Sequence, residues 1–563
     1  MAAAVAFVGL PAFAGHATKL DGRTLGQRHE LPRVQHVAGG SQPQSQPLSG
    51  GAVCRVAAVA VMAAGAASLS QLRRQRRRCR HQLEQAVIRR ARGGQEAVTG
   101  LSEVQQLEAE DSTETFVWRK AWYPLLAVED VDDTRPTKIQ LLGDDLVAWK
   151  DGDGEWRVFE DRCPHRAVPL SEGRVESDGT LMCSYHGWRF SGDGKLAALP
   201  QATDQEMERI KGNSRACAAA RPCQVRQNVL WVWGESGENA ALESALKEPN
   251  NVKEMEDPAL EGRAKMSHWA HRDIPYGWEV AFENVTDPAH VAVSHHNIVS
   301  NRYKDPKPFT IEFLRKPTNQ EGFSFKTSTG SIMDFRPPAQ LHIKQTFDKG
   351  AYLKLIINFV PTKPGWTRLV GSTLLVSGED GSKPKGFGPY SLPLPRWLNH
   401  LMAPLFLHQD QVFLHAQQAL LLKQQKKTGK KWLDTYWMPT QQDKGVIALR
   451  RWLDKNGAPD WSPAAKAMEE QGLLGYDIED PEKLFDVWTT HTSQCTTCLK
   501  ALKRVSFAAK AMKYSAITLG AAGVAGAGWP YLVGGAALGL GANLASKLKK
   551  MFYTQPYNHQ DNN

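Results

Sequence analysis

Residues 163–190 read CPHRAVPLSEGRVESDGTLMCSYHGWRF: a C-x-H, then seventeen intervening residues, then a C-x-x-H. Each short loop offers one thiolate and one imidazole, from Cys163 with His165 and from Cys183 with His186. A single zinc is commonly held by two cysteines on one knuckle and two histidines on a following helix. Here the ligand types are mixed within each loop. A two-iron two-sulfur cluster with two histidines on one iron and two cysteines on the other asks for this pairing, because each loop then serves both irons.

That order favours a Rieske-type [2Fe–2S] centre over zinc or unrelated core residues. Pro164 stiffens the first loop, Gly187 lets the second come close, and the Tyr185 hydroxyl is a candidate donor toward sulfur. The flanks alternate as short apolar runs and turns, as in LLGDDLVAWKDGDGEWRVFED and QVRQNVLWVWGE. This predicts an antiparallel β-domain over about residues 118–235. Beyond a polar connection, FTIEFL, QLHIKQTF, AYLKLIINFV and TRLVGSTLLV precede a helical FLHQDQVFLHAQQALLLKQQ, predicting a mixed sheet-and-helix domain over about residues 261–480.

The net charge of +10 is no argument for a nucleic-acid partner. Residues 1–100 contain fourteen Lys/Arg against four acids, a surplus equal to the charge of the whole chain. Rich in Ala, Ser, Gly and Arg, that stretch reads as an organelle-targeting leader, and RRQRRRCR at residues 73–80 belongs to it. Of eight cysteines, Cys163 and Cys183 go to the cluster; Cys217 and Cys223 read as ordinary thiols; Cys495 and Cys498 form a C-x-x-C over residues 491–500. No disulfide framework follows. Residues 514–546 carry no charge and are bracketed by Lys513 and Lys547, with Trp529-Pro530 in the middle, so a membrane hairpin of two Gly-rich helices is predicted, one tilted span being the alternative.

A [2Fe–2S] cluster only carries an electron, so the chain needs an acceptor. In ENVTDPAHVAVSHH, His290 and His295 could bind one ion facially with a distant carboxylate, the non-haem Fe(II) arrangement. Five residues fit an ideal α-helix poorly, and π-type winding is expected to bring the two rings together. His296 is expected to be an outer-shell or solvent residue. Asp410, flanked by Phe406, Leu407, Val412 and Phe413, is the best placed acid, while Asp287 suits orienting a histidine.

These stretches, with WYPLLAVEDV, CSYHGWRFSGDGK and CTTC before a hairpin, resemble the chloroplast Rieske non-haem iron oxygenases that include pheophorbide a oxygenase. The resemblance covers about residues 118–510. It implies a Rieske domain followed by a helix-grip catalytic domain in an α+β chain, with [2Fe–2S] at Cys163, His165, Cys183 and His186. Mononuclear Fe(II) is implied at His290, His295 and Asp410, with Asp287 bridging the metals across a homotrimer. It further implies O₂, reduced ferredoxin and a chlorophyll-derived tetrapyrrole at a plastid envelope or thylakoid membrane. Pheophorbide a heads the substrates, before chlorophyllide, protochlorophyllide and phyllobilins. The sheet between about residues 305 and 375 is expected to line the pigment pocket. A reading from another class makes Cys495 and Cys498 a thioredoxin-exchanged pair in a redox-sensing, import-associated membrane subunit.

Overall fold

The computed structural model describes residues 114–384, 394–471 and 478–561. The leader at residues 1–100 lies outside them.

The first module is three small antiparallel sheets built from tight turns. Thr137–Leu141 and Asp144–Lys150 are joined by Leu142-Gly143, both with positive φ, as a two-residue hairpin of right-handed strands requires. Gly143 has a second reason to be glycine: a Cβ there would lie 2.5 Å from Ala465 Cβ. The same device, Gln227-Asn228, joins Cys223–Arg226 to Val229–Trp233, which also pairs with Trp122–Ala127. A four-stranded sheet of short strands from Arg174–Val175 to Leu196–Ala198 carries the second cysteine loop.

The second module is an eight-stranded antiparallel sheet spanning Ala264–Met266 to Trp366–Val376. On one face Phe323, Phe325, Phe335 and Phe359 pack with Trp278 and Phe282 of the helix Trp278–Thr286 and Trp452 of the helix Lys444–Asn456. Tyr352, Ile356, Val370 and Leu374 join Trp122, Trp231 and Trp233 of the first module in a separate apolar cluster. The two modules are thus glued by apolar burial, at roughly 25 cal/mol per Å². These phenylalanines are essentially unexposed, because alternate side chains of the strands turn into the core under the covering helices.

Covering that sheet also buries charge. Glu283, on the helix leading to the candidate iron histidines, pairs with Arg450 and accepts a 2.9 Å hydrogen bond from Tyr436. Burial nevertheless raises the Glu283 carboxyl above its ordinary range. Arg450→Met should cost about 3–5 kcal/mol by leaving the carboxylate uncompensated. In that variant the folded chain binds a proton on Glu283 where the unfolded chain, with its pKa near ~4.3, has lost it, so stability falls as pH rises through that window. Urea melts at several pH values check this; a pH-independent loss would contradict it.

The long helix Arg396–Thr428 crosses the second module and carries Asp410. The chain ends in two packed antiparallel helices, Thr496–Ala522 and Trp529–Lys550, separated by a π-turn with Gly526 and Gly528 at positive φ. Gly535 is a true packing glycine, since a Cβ would stand 3.0 Å from both Ala516 O and Gly520 N. A helical hairpin therefore exists, but the predicted membrane crossing does not hold: among the described residues no helix is long and apolar enough to cross a membrane. The reason is dilution. The turn divides the uncharged run, Lys500, Lys503, Arg504, Lys510 and Lys513 charge the first helix, and Gly534, Gly535, Gly539, Gly541 and Asn543 thin out the second. After the hairpin the chain returns to the long helix, where His559 meets the Gln409 carbonyl at 2.7 Å.

Candidate functional site

The two cysteine loops share one backbone design. Cys163 N–H donates to Val168 O (2.9 Å) and Ala167 N–H to Cys163 O (2.9 Å); Cys183 N–H donates to Trp188 O (2.8 Å) and Gly187 N–H to Cys183 O (3.0 Å). The residue four past each cysteine is left-handed, Ala167 at φ 58° and Gly187 at φ 70°. Both sulfurs are buried, and burial first, with the Cys183 sulfur adding, pushes the Cys163 thiol up to about 11. A buried thiol pair of this kind is well served by bound iron, which takes the thiolate form. The imidazoles occupy the outer side: His165 is exposed, stacks on Trp188 at 4.8 Å and stands 4.7 Å from the His186 ring. Tyr185 is 56% exposed and lies over His186, 3.9 Å away, rather than being buried beside a sulfur.

The second centre is a three-residue convergence. The ligand atoms of His290, His295 and Asp410 all lie within 4.8 Å of one another, with Asp410 Oδ2 3.3 Å from His295 Nε2 and 3.7 Å from His290 Nε2. The turn between the histidines is not π-wound. Val291–Ser294 is a short α-turn that ends at His295, whose φ −90°, ψ 38° swings the ring back toward His290.

Hydrogen bonds fix which nitrogens face the centre. His290 Nδ1 lies 2.5 Å from the carbonyl of Asp287, so it carries the proton and leaves Nε2 a lone pair. Gln409 Nε2 donates to His296 O at 3.2 Å, which turns its Oε1 toward His295 Nδ1 at 3.1 Å and again leaves Nε2 unprotonated. Two imidazole lone pairs and a buried carboxylate thus face one point, and both His295 Nε2 and Asp410 Oδ1 are buried without a hydrogen-bond partner. Such acceptors repel unless a cation joins them, and the donor set fits a 2-His-1-carboxylate iron site.

Sequence reasoning passed over Gln409, although it sits beside Asp410 in HQDQ; a polar residue next to a buried ligand was the available signal. Gln409→Leu should weaken iron binding about 10–100-fold by freeing the His295 tautomer, read by iron titration. His296 is buried, not in solvent, and accepts from Arg302 N–H at 3.2 Å. Asp287 contributes its backbone carbonyl to His290, while its carboxylate accepts from Ala289 N–H at 2.8 Å; burial raises that carboxyl. The cavity of about 210 Å³ near Glu279, Gln418 and Trp432 does not include the three ligands.

Cys495 and Cys498 lie elsewhere, buried and unbridged at the start of the first hairpin helix, with His400 and His491 beside them. His491-x₃-Cys495-x₂-Cys498 was visible in HTSQCTTC; His400, 91 residues upstream of His491, was not.

A Rieske [2Fe–2S] domain profile matches residues 121–211 and a pheophorbide a oxygenase profile residues 335–428. Chloroplastic pheophorbide a oxygenase of Oryza sativa subsp. japonica is 33% identical over 433 residues, 71% of this chain and 77% of that one. Chloroplastic flavonoid 8-hydroxylase 2 of Ocimum basilicum is 29% identical, covering 80% and 87%. Protochlorophyllide-dependent translocon component 52 of Arabidopsis thaliana is 29% identical, covering 70% and 75%.

Proposed function

We propose, from the premise that this chain belongs to the pheophorbide a oxygenase family of Rieske non-haem iron oxygenases, that it oxygenates a chlorophyll-derived tetrapyrrole, with pheophorbide a the first candidate. When bound, the [2Fe–2S] cluster supplies single electrons and the mononuclear iron supplies O₂ activation. Cys163, His165, Cys183 and His186 are the proposed cluster ligands, and His290, His295 and Asp410 the proposed iron ligands. The observation that carries the reading is the convergence of three acceptors on one point, which an electron carrier without a catalytic iron does not need. Asp287 and Gln409 hold the two imidazole tautomers. The stack of His295 on Phe406, 3.7 Å between ring centres, shields the His295 side from water.

The proposed electron donor is reduced ferredoxin, and the proposed assembly a homotrimer. An exposed His165 and Tyr185 on the cluster's outer side suit a covering partner. The decisive experiment incubates iron-loaded protein anaerobically with pheophorbide a, chlorophyllide a or protochlorophyllide a, then adds O₂ and reduced ferredoxin and follows pigment loss and oxygen-18 incorporation. Consumption of no pigment would sink the tetrapyrrole reading. The breadth of the match to a flavonoid hydroxylase favours one second reading, so a flavone belongs in the same assay, and its sole turnover would replace the pigment.

The proposed location is a plastid, at a membrane surface. Phe507, Tyr514, Ile517, Val524, Trp529 and Leu540 of the hairpin are all more than half exposed, as a bilayer-seated apolar edge would be in water. Val524→Asp with Trp529→Asp should abolish flotation of the full chain with galactolipid vesicles; unchanged flotation would remove this attachment. The thioredoxin reading of Cys495 and Cys498 has less support, because both sulfurs are wholly buried and exchange needs an attackable one.

A further inference from the structure

We infer that His400, His491, Cys495 and Cys498 form a structural zinc site, separate from both proposed iron centres. The four side chains come from two distant parts of the chain: His400 from the long helix, and the other three from the segment that opens the C-terminal hairpin. All four are at most 4% exposed, and their ligand atoms lie within 4.8 Å of one another.

Four of the six edges match a tetrahedron, and the other two lie within 4.8 Å. With zinc–sulfur bonds of about 2.3 Å and zinc–nitrogen bonds of about 2.0–2.1 Å, tetrahedral geometry places two nitrogens about 3.3 Å apart and each nitrogen about 3.6 Å from each sulfur. Here His400 Nδ1 and His491 Nε2 are 3.2 Å apart. The nitrogen–sulfur separations are 3.6 Å for His400–Cys495, 3.4 Å for His400–Cys498 and 3.4 Å for His491–Cys498. The Cys498 N–H points at Cys495 Sγ, 3.4 Å away, as backbone amides do in thiolate knuckles.

The surroundings decide between a metal and a thiol–imidazole hydrogen-bond network. His491 Nδ1 donates to the carbonyl of His271 at 2.7 Å, so Nε2 presents a lone pair. The outer nitrogen of His400 faces Asp130 Oδ2 at 3.6 Å, while Arg396 and Thr497 hold the other oxygen of that carboxylate. At 3.6 Å this is charge attraction and not a hydrogen bond, and it favours the His400 proton on the outer nitrogen, with the Nδ1 lone pair turned toward the sulfurs. Two lone pairs 3.2 Å apart in a dry interior repel, and a shared cation turns that repulsion into bonding. A carbonyl or carboxylate behind each imidazole is the outer shell that metal-bound histidines carry.

Zinc binding releases the two thiol protons, and Zn²⁺ with two thiolates and two neutral imidazoles has no net charge, so burying it avoids the cost of an unpaired ion. A tetrahedral S₂N₂ donor set suits zinc, which has no redox chemistry of its own. The clamp joins the root of the hairpin to the helix of Asp410, and through Asp130 to the end of the first strand of the cluster module.

The test uses the full chain as purified. Elemental analysis should give one zinc per chain beside the iron, resistant to brief chelation and released by a mercurial thiol reagent. Cys498→Ser should lose the zinc while keeping the Rieske spin-resonance signal. His491→Cys, which retains four ligands, should keep the metal, and Asp130→Asn should bind it about 10–100-fold more weakly. Should the serine variant not fold, growth of the unmutated chain on Co²⁺ reads the ligands directly, through the intense visible bands of tetrahedral cobalt and its sulfur-to-metal charge transfer. Absence of zinc, zinc that survives Cys498→Ser in folded protein, or a thioredoxin-reducible Cys495–Cys498 disulfide in the isolated protein would each overturn the assignment.

Discussion

Asp410→Ala is expected to remove the mononuclear iron and lower turnover by more than about 100-fold, beyond the cost of losing an outer-shell partner, while the Rieske spin-resonance signal stays intact. Among the described residues Asp410 is the acid that groups with both histidines, and its carboxylate offers the negative charge that offsets a divalent cation there. Removing it leaves two neutral imidazoles, too few to hold Fe(II) against water. The cluster loops draw nothing from Asp410, since their frame is backbone bonds within residues 163–168 and 183–188. Iron content, the Rieske signal and pigment turnover must be measured on the same preparation. Retained iron would mean that another group supplies the carboxylate.

The proposed cluster residues could be read from sequence because both loops are local: each ligand pair sits within four residues, and the turn residues advertise the shape. The strands were legible for the same reason, through Leu142-Gly143 and Gln227-Asn228. Asp410 was reachable only through its apolar neighbours, since nothing in a linear sequence says which of many acids folds back on His290. Gln409 was overlooked because its role is to orient a ring 114 residues away. His295 was placed by the wrong winding: a broken helix and a π-turn both bring residues five apart together, and composition does not separate them. The hairpin shows the opposite error. A long uncharged run says where charges are missing, but crossing a bilayer depends on continuous hydrophobicity, which glycines at a turn and at a close helix contact remove.

Mixed assemblies of two inactive variants are expected to recover about a quarter of the unmutated activity, which tests the proposed trimer and the direction of electron flow. His165→Ala has no proper cluster but keeps the iron site; His290→Ala keeps the cluster but not the iron. Each alone should be inactive. In a head-to-tail ring every interface joins two different surfaces, so random assembly from equal amounts gives about one interface in four with an intact cluster facing an intact iron. The chain offers two surfaces that suit such a contact: the outer side of the cluster at His165 and Tyr185, and the half-buried turn from Asp287 to His290 next to the exposed Val293. Asp287→Ala should keep the His290 tautomer, because the bond to His290 comes from the backbone carbonyl, and yet slow turnover by removing the carboxylate proposed to reach the neighbour's His186. Placed in the His165→Ala chain it should lower the recovered activity, since that chain holds the working iron; placed in the His290→Ala chain it should change nothing. Transfer within one chain predicts no recovery at all. Mixed trimers shown by mass spectrometry to form, and still inactive, would therefore end both the ring and the bridging role of Asp287.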